Sequence, residues 1–142
     1  MGSAADLILA ADDEGPAIVA SDYALGSFRG INVDGLDPLK LAALHAVLAG
    51  KEFSNLLGEY QPIAEASPNG PWLVKFPGEL VRLLADIPPE DHASAAAKWA
   101  TSDQLQEDGW PADVAEPFLA RVVHFAQNAG YEGKEVFLLI YD

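Results

Sequence analysis

The chain has 142 residues and a formal net charge of −14, and half of its residues are hydrophobic. Phosphate backbones and anionic lipid surfaces repel such a chain, so the charge argues against nucleic-acid binding and membrane-surface binding. The hydrophobic half argues against a disordered acidic tail. The sequence contains no cysteine, which excludes disulfides, thiolate metal sites and a cysteine nucleophile.

The length fits a single domain over residues 1–142, large enough to bury one hydrophobic core without disulfides or metals. The first eleven residues carry no basic side chain before their short apolar piece, so no secretory signal is expected. No apolar run approaches the ~18 residues that a membrane-spanning helix needs.

The first 35 residues predict a hairpin followed by a loop region. Leu7, Ile8 and Leu9 within 4–11 indicate a strand, and residues 12–16 have the composition of a turn. The short apolar run at 17–20 would then be the second strand of the hairpin. Residues 21–35 are rich in glycine and predict irregular structure with at most an edge strand.

Helical spacing of apolar residues predicts four main helices. Asp37 and Pro38 are typical of a helix start, and Gly50 is typical of a helix end. The capping-box pattern at 101–104 indicates a further short helix. In the longest helix the apolar stripe predicts that Phe125 is buried, and that His124 and Gln127 face solvent. The four predicted helices cover residues 38–49, 78–86, 89–100 and 114–129.

Two segments predict strands that organise the domain, residues 72–76 and 135–141. The run from Val136 to Tyr141 is apolar at every position, so both faces of that strand need cover, and we place it centrally in the sheet. The predicted fold is therefore α+β, with a small mixed or mostly antiparallel sheet covered by about four main helices.

No catalytic, metal-binding or nucleotide-binding motif is present in the sequence. His45, His92 and His124 are 47 and 32 residues apart and form no metal-ligand spacing. His45 lies at the edge of the apolar face of its helix, which favours a packing role. We therefore predict no catalytic residue, metal or cofactor.

Negative charge is concentrated between residues 86 and 116, a segment that contains eight acidic residues and one basic residue, Lys98. Trp99 and Trp110 fall in the same segment, and an acidic rim around exposed aromatics is typical of a protein-binding patch. The alternative is that helix N-termini favour acids here while the tryptophans lie in the core. The candidate interaction patch comprises Asp103, Glu107, Asp108, Trp110 and Asp113.

Six segments between residues 34 and 142 have patterns of a structural character. They are residues 35–42, 44–50, 70–74, 98–101, 108–110 and 133–134. These segments resemble a family of small, acidic, uncharacterised bacterial proteins. The resemblance implies bacterial origin and a cytoplasmic single domain, and it implies no known activity or functional residue.

The function predicted from the sequence is a non-enzymatic, acidic protein-interaction module of the inhibitor or immunity type that masks a basic protein partner. The alternative is a small-molecule binding or hydrolytic domain whose site assembles from distant residues. A flat acidic surface bearing an exposed tryptophan would favour the first function. A deep cleft holding polar residues would favour the second.

Overall fold

A computed structural model describes residues 4–20, 29–65, 67–68 and 70–141. These residues form the five strands β1 (Ala4–Ala10), β2 (Arg29–Asn32), β3 (Ala64–Glu65), β4 (Trp72–Lys75) and β5 (Glu135–Tyr141). They also form the six helices α1 (Gly15–Ala20), α2 (Pro38–Ala49), α3 (Gly78–Ala85), α4 (His92–Ala100), α5 (Asp103–Glu107) and α6 (Ala112–Glu132).

The strands form one sheet in the order β2-β1-β5-β4-β3, and every pairing is antiparallel. The predicted α+β class is therefore confirmed, and so is the central place of β5. Strand β5 is paired with β1 along its whole length and with β4 through the segment 137–140.

Both faces of β5 are buried, as its unbroken apolar run predicts. Val136, Leu138 and Ile140 join the larger core beneath the helices. Phe137 and Leu139 join a smaller core on the opposite face, where Ile18 and Val19 of α1 cover them. Alternation along the strand thus divides the hydrophobic core into two layers.

Helices α2 to α6 lie on the larger core, and α6 is the longest. Its stripe has the predicted face, with Phe125 buried and His124 exposed. Gln127 is half-buried rather than exposed, because its Nε2 donates to the carbonyl of Ala85 on α3 at 3.4 Å. The helix passes Gly130 and ends at Gly133, whose left-handed backbone caps it.

The predicted N-terminal hairpin is wrong. The run at 17–20 belongs to α1, which begins after a 3₁₀ turn at Asp12–Glu14, and Ile18 and Val19 insert into the smaller core. Strand β1 lies between β2, which begins at Arg29, and β5, and it pairs with both. A four-residue apolar run fits a buried helical turn as well as a strand, so periodicity could not separate them.

Two further local details differ from the prediction. The apolar spacing at residues 51–57 predicts one short helix ended by Gly58, but the structure has two 3₁₀ turns at Phe53–Asn55 and Leu57–Tyr60. The cap of α5 is Ser102 rather than Thr101, and its hydroxyl accepts from the amide of Leu105 at 3.5 Å. Among the described helices, none has the length and apolar character needed to cross a membrane.

Candidate functional site

The strongest candidate site is a cleft of about 480 Å³ between the N-terminal half of α6 and the segments around residues 34 and 108. We call it the acidic cleft, because three carboxylates line it beside aromatic and aliphatic side chains. Its side-chain lining consists of Asp34, Glu107, Asp108, Trp110, Val114 and Phe118.

Trp110 is half-buried at the centre of this cleft. Its indole stacks on Phe118 with 4.3 Å between ring centroids, and it meets the buried Trp99 edge-on at 6.3 Å. Gly35 approaches the same indole so closely that an added Cβ would lie 2.9 Å from it, and its φ of +97° also favours glycine. The indole is thus held in one orientation by its neighbours.

A buried lysine supports the cleft from below. The Lys40 side chain is only 1% exposed, and its Nζ lies 2.5 Å from the Asp108 carboxylate and 3.4 Å from that of Asp37. It also donates to the carbonyl of Gly35 and lies over the Trp110 ring, 4.4 Å from the centroid. A buried ammonium needs such partners. Through its contact with Asp108, Lys40 links the loop that carries Trp110 to the start of α2.

Two of the three cleft carboxylates, Asp108 and Asp34, are held in their anionic form by hydrogen bonds. The hydrogen bond and charge of Lys40 lower the pKa of Asp108 below its usual value. The backbone amide of Ala5, helped by the Asn32 side chain, lowers the pKa of Asp34. The acidic cleft therefore presents negative charge beside aromatic rings at neutral pH.

The structure brings together only part of the patch expected from the sequence. Glu107, Asp108 and Trp110 share the acidic cleft. Asp103 lines a separate cleft beside Lys51, and Asp113 is exposed without contributing to the lining. Charge counted along the chain could not distinguish these positions, because α5 and α6 point their side chains in several directions.

Sequence reasoning missed Asp34, Phe118 as a site residue, and the buried role of Lys40. Of these, only the burial of Lys40 could have been inferred from the sequence. It occupies a position in α2 beside Leu41 and Leu44 on the apolar side, where an unpaired lysine would be costly. Asp34 and Phe118 lie 84 residues apart in the sequence, and only the fold makes them neighbours.

A second polar cluster joins α2 to α3 and extends from the interior of the protein to its surface. His45 is fully buried, with Nδ1 2.9 Å from the Tyr60 hydroxyl and Nε2 2.7 Å from the Glu79 carboxylate. Because a carboxylate can only accept, Nε2 carries a proton, and in the neutral ring Nδ1 accepts from Tyr60. At the surface, the Lys51 Nζ donates to the two carboxylate oxygens of Glu79 at 2.9 and 3.0 Å.

Two residues of this cluster, Glu79 and Tyr60, have shifted pKa values. The hydrogen bonds from Lys51 and then His45 lower the pKa of Glu79, while burial raises the pKa of Tyr60 above its usual range. His45 and Tyr60 are both enclosed, so neither side chain can reach a substrate in solution. The cluster therefore serves to join α2, α3 and the 3₁₀ turn at Leu57–Tyr60.

Beside the acidic cleft lies a smaller one of about 320 Å³, which we call the apolar cleft. Its lining consists of Gly30, Ile31, Ala120, Arg121, His124 and Phe125. Within the described ranges, no three histidine, aspartate or glutamate side chains converge as a metal site would require.

Comparison with known proteins gives one similar fold. No protein-family model matches the sequence, and no curated protein matches it. A solved structure described as a protein of unknown function, YfbM from Escherichia coli, is similar with a TM-score of 0.49 and 10% sequence identity. The alignment covers 96% of this chain and 99% of that chain. The resemblance to a family of bacterial proteins therefore stays a prediction.

The ion pair beneath the acidic cleft predicts a pH-dependent loss of stability. We expect Asp108→Asn to destabilise the fold at pH 7, because it leaves the buried Lys40 ammonium with weaker partners. A lowered carboxylate pKa contributes stability above the unfolded pKa of about 3.9, and that contribution is lost as the pH falls through the folded value. Denaturant unfolding should therefore show the two proteins converging below about pH 4.

The matched control is Glu107→Gln, which removes the neighbouring negative charge without breaking a described ion pair. It should leave unfolding nearly unchanged at every pH. Lys40→Met should destabilise less than Asp108→Asn, because the two carboxylates it frees, Asp37 and Asp108, are partly exposed and can be hydrated. An equal loss for Asp108→Asn at pH 7 and pH 3 would show that the ion pair is not its cause.

The buried histidine cluster predicts a measurable coupling between its members. His45→Phe should cost ~1–3 kcal/mol, because it leaves the enclosed Tyr60 hydroxyl without its partner. Tyr60→Phe should cost less, since His45 retains Glu79. In a double-mutant cycle measured by denaturant unfolding, the double variant should be less destabilised than the sum of the two single variants. Additive losses would mean that the hydrogen bond contributes nothing to stability.

Proposed function

We propose that this chain is a non-enzymatic protein-interaction module of the inhibitor or immunity type, whose acidic cleft receives a basic side chain of a protein partner. The observation that carries the proposal is the pairing of Trp110 and Phe118 with the carboxylates of Asp34 and Glu107 around one cleft. Carboxylates beside aromatic rings attract a lysine or arginine both by charge and by cation–π interaction.

Contacts of a cation with a carboxylate and with an aromatic ring already occur within the chain at this cleft. Lys40 already lies over the Trp110 ring while bonded to Asp108, and the Arg121 guanidinium lies 5.3 Å from the centre of the Phe118 ring. Both aromatic rings of the cleft therefore attract cations within the chain. A partner's basic side chain would use the same two kinds of contact.

Among the cleft carboxylates, Glu107 is the one best placed to meet a partner. Asp108 is engaged by Lys40, and Asp34 accepts from Ala5 and Asn32. In the described part of the chain, no hydrogen bond or ion pair occupies Glu107, which is exposed. Its carboxylate can bind an incoming cation without first losing an internal partner.

A small-molecule binding domain is the second candidate function, and one observation favours it. The acidic cleft, at about 480 Å³, lies within the size range of small-ligand pockets. A small cationic metabolite would satisfy the same carboxylates and rings. The hydrolytic form of this alternative has weaker support, because the His45 cluster is enclosed. Equal binding of free arginine and of an arginine-containing peptide would favour the small-molecule function.

Charge reversal at Glu107 tests the proposed function. We expect Glu107→Lys to slow the association of an arginine-containing peptide more than it speeds dissociation, because long-range attraction acts on the encounter. The effect should weaken as salt rises, since the screening length is about 8 Å at ~0.15 M. Stopped-flow titration with tryptophan fluorescence measures both rates, and Trp110 in the cleft supplies the signal.

The matched control is Glu90→Lys, which makes the same change in net charge at an exposed site before α4. Reversal of Asp108 is unsuitable as a test, because that carboxylate holds Lys40. If Glu90→Lys slows association as much as Glu107→Lys, overall charge and not the cleft attracts the peptide. If wild-type protein binds no basic peptide even at low salt, the proposed function is wrong.

A further inference from the structure

The acidic cleft and the apolar cleft are lined by neighbouring parts of α6, and we call the two together the groove. Both lie between α6 and the segment at residues 30–35. Phe118 lines the acidic end and Arg121 lines the apolar end, and the Arg121 guanidinium lies over the Phe118 ring, 5.3 Å from its centroid. On the opposite wall, Asp34 borders the acidic end and Ile31 borders the apolar end.

The two ends differ in the chemistry that they can accept. The acidic end holds three carboxylates and suits a cation. The apolar end holds no carboxylate in its lining, and the Arg121 guanidinium in that lining would disfavour a second cation. Ile31, which is 37% exposed, offers an aliphatic side chain a surface to cover.

The separation of the two ends can be read from α6. Phe118 and Phe125 mark the acidic and apolar ends, and they are seven residues apart. At 1.5 Å per residue, the helix carries these positions roughly 10 Å apart. An extended chain in polyproline II conformation rises about 3.1 Å per residue and repeats every three residues, so its side chains three apart match that distance on one face.

The wall opposite α6 favours an extended segment as the occupant. Gly30 lines the apolar end and leaves the wall without a side chain there, whereas Gly35 at the acidic end is covered by the Trp110 indole. A bare main chain allows a close approach by another main chain. A helical ligand would gain less, because its own side chains keep its backbone away from the wall.

We infer that the groove binds an extended segment of a protein partner that carries a basic residue and an aliphatic residue three positions apart. The basic side chain enters the acidic end against Glu107, and the aliphatic side chain covers Ile31 at the apolar end. The inference rests on the proposed function and adds the sequence pattern that the partner must present.

The test uses short synthetic peptides in fluorescence-anisotropy titrations with the whole chain. One pair of peptides carries arginine and leucine three residues apart, in the two possible orders. Reference peptides replace leucine with serine, replace arginine with serine, or place arginine and leucine next to each other. One order of the spaced pair should bind about tenfold tighter than the arginine-only peptide, because covering a leucine side chain contributes about that much.

Variants of the protein test which peptide side chain binds at each end of the groove. Ile31→Ser should remove the gain from leucine and leave binding of the arginine-only peptide unchanged. Glu107→Gln should weaken every peptide that contains arginine. The controls are Ile63→Ser, an exposed isoleucine beside the opposite edge of the sheet, and Asp103→Asn in the separate cleft. Neither control should change any of these affinities.

The outcomes separate the inference from the proposed function. Arginine-only binding that depends on Glu107, with no gain from leucine at any spacing, overturns the inference and retains the interaction module. A gain from leucine that persists in Ile31→Ser also overturns it. Failure of every arginine-containing peptide to bind overturns both.

Discussion

Trp99→Ala is expected to destabilise the protein by ~3–5 kcal/mol, the range typical of removing a fully buried tryptophan. Trp99 on α4 is 0% exposed, and its indole N–H donates to the carbonyl of Lys40 on α2 at 2.9 Å. Its ring also meets Trp110 edge-on, so the substitution removes the support beneath the acidic cleft. Denaturant unfolding followed by circular dichroism measures the loss.

Two further variants identify the cause of that loss. Trp99→Phe keeps most of the ring and removes the N–H, so it should retain more stability than Trp99→Ala. Tyr131→Ala removes an aromatic ring that is 87% exposed on α6, and it should change stability by less than about 0.5 kcal/mol. A Trp99→Ala protein as stable as Tyr131→Ala would mean that α4 does not pack against the core in this way.

Stretches with an unambiguous pattern were predictable from the sequence, and short or mixed stretches were not. The β5 run has strand length and is apolar at every position, the α6 stripe repeats at helical spacing, and the fold agrees with both. The run at 17–20 is too short to distinguish a helix from a strand. Its helical state depends on contacts of Ile18 and Val19 with the smaller core, which are long-range and invisible in the local sequence.

The candidate site was predictable only in part, because its components come from distant segments. The acidic and aromatic composition of residues 86–116 indicated a patch, and Glu107, Asp108 and Trp110 do share a cleft. Composition could not show that Trp99 is core while Trp110 is half-buried. Their difference arises because Trp110 lies in the loop between α5 and α6, at the edge of the core that Trp99 occupies.

The half-buried state of Trp110 also changes what its substitution can reveal. A fully exposed tryptophan could be removed without loss of stability, whereas Trp110 contacts Phe118, Gly35 and Lys40. Trp110→Ala would therefore alter folding and binding together. Glu107 separates the two effects better, because it lines the same cleft without supporting the core.

Leu139→Ala in the central strand is expected to destabilise the protein by ~2–5 kcal/mol, through lost burial and the cavity that remains. Leu139 is 1% exposed and lies in the smaller core. Its backbone neighbours are Asp6 on β1 and Leu73 on β4, so strands on both sides confine it. The surrounding structure can therefore collapse only partly around the missing side chain, which places the expected loss well above that of a surface substitution.

The same chemical change at an exposed position supplies the control. Leu39→Ala removes an identical side chain that is 52% exposed in the first turn of α2, where alanine is an excellent helix former. It should change the free energy of unfolding by less than about 0.5 kcal/mol. If Leu139→Ala instead unfolds at the same denaturant concentration as Leu39→Ala, the face of β5 beneath α1 is not a packed core. The smaller core would then contribute little to the stability of the sheet, and burial beneath the α2–α6 layer alone would hold β5 in its central place.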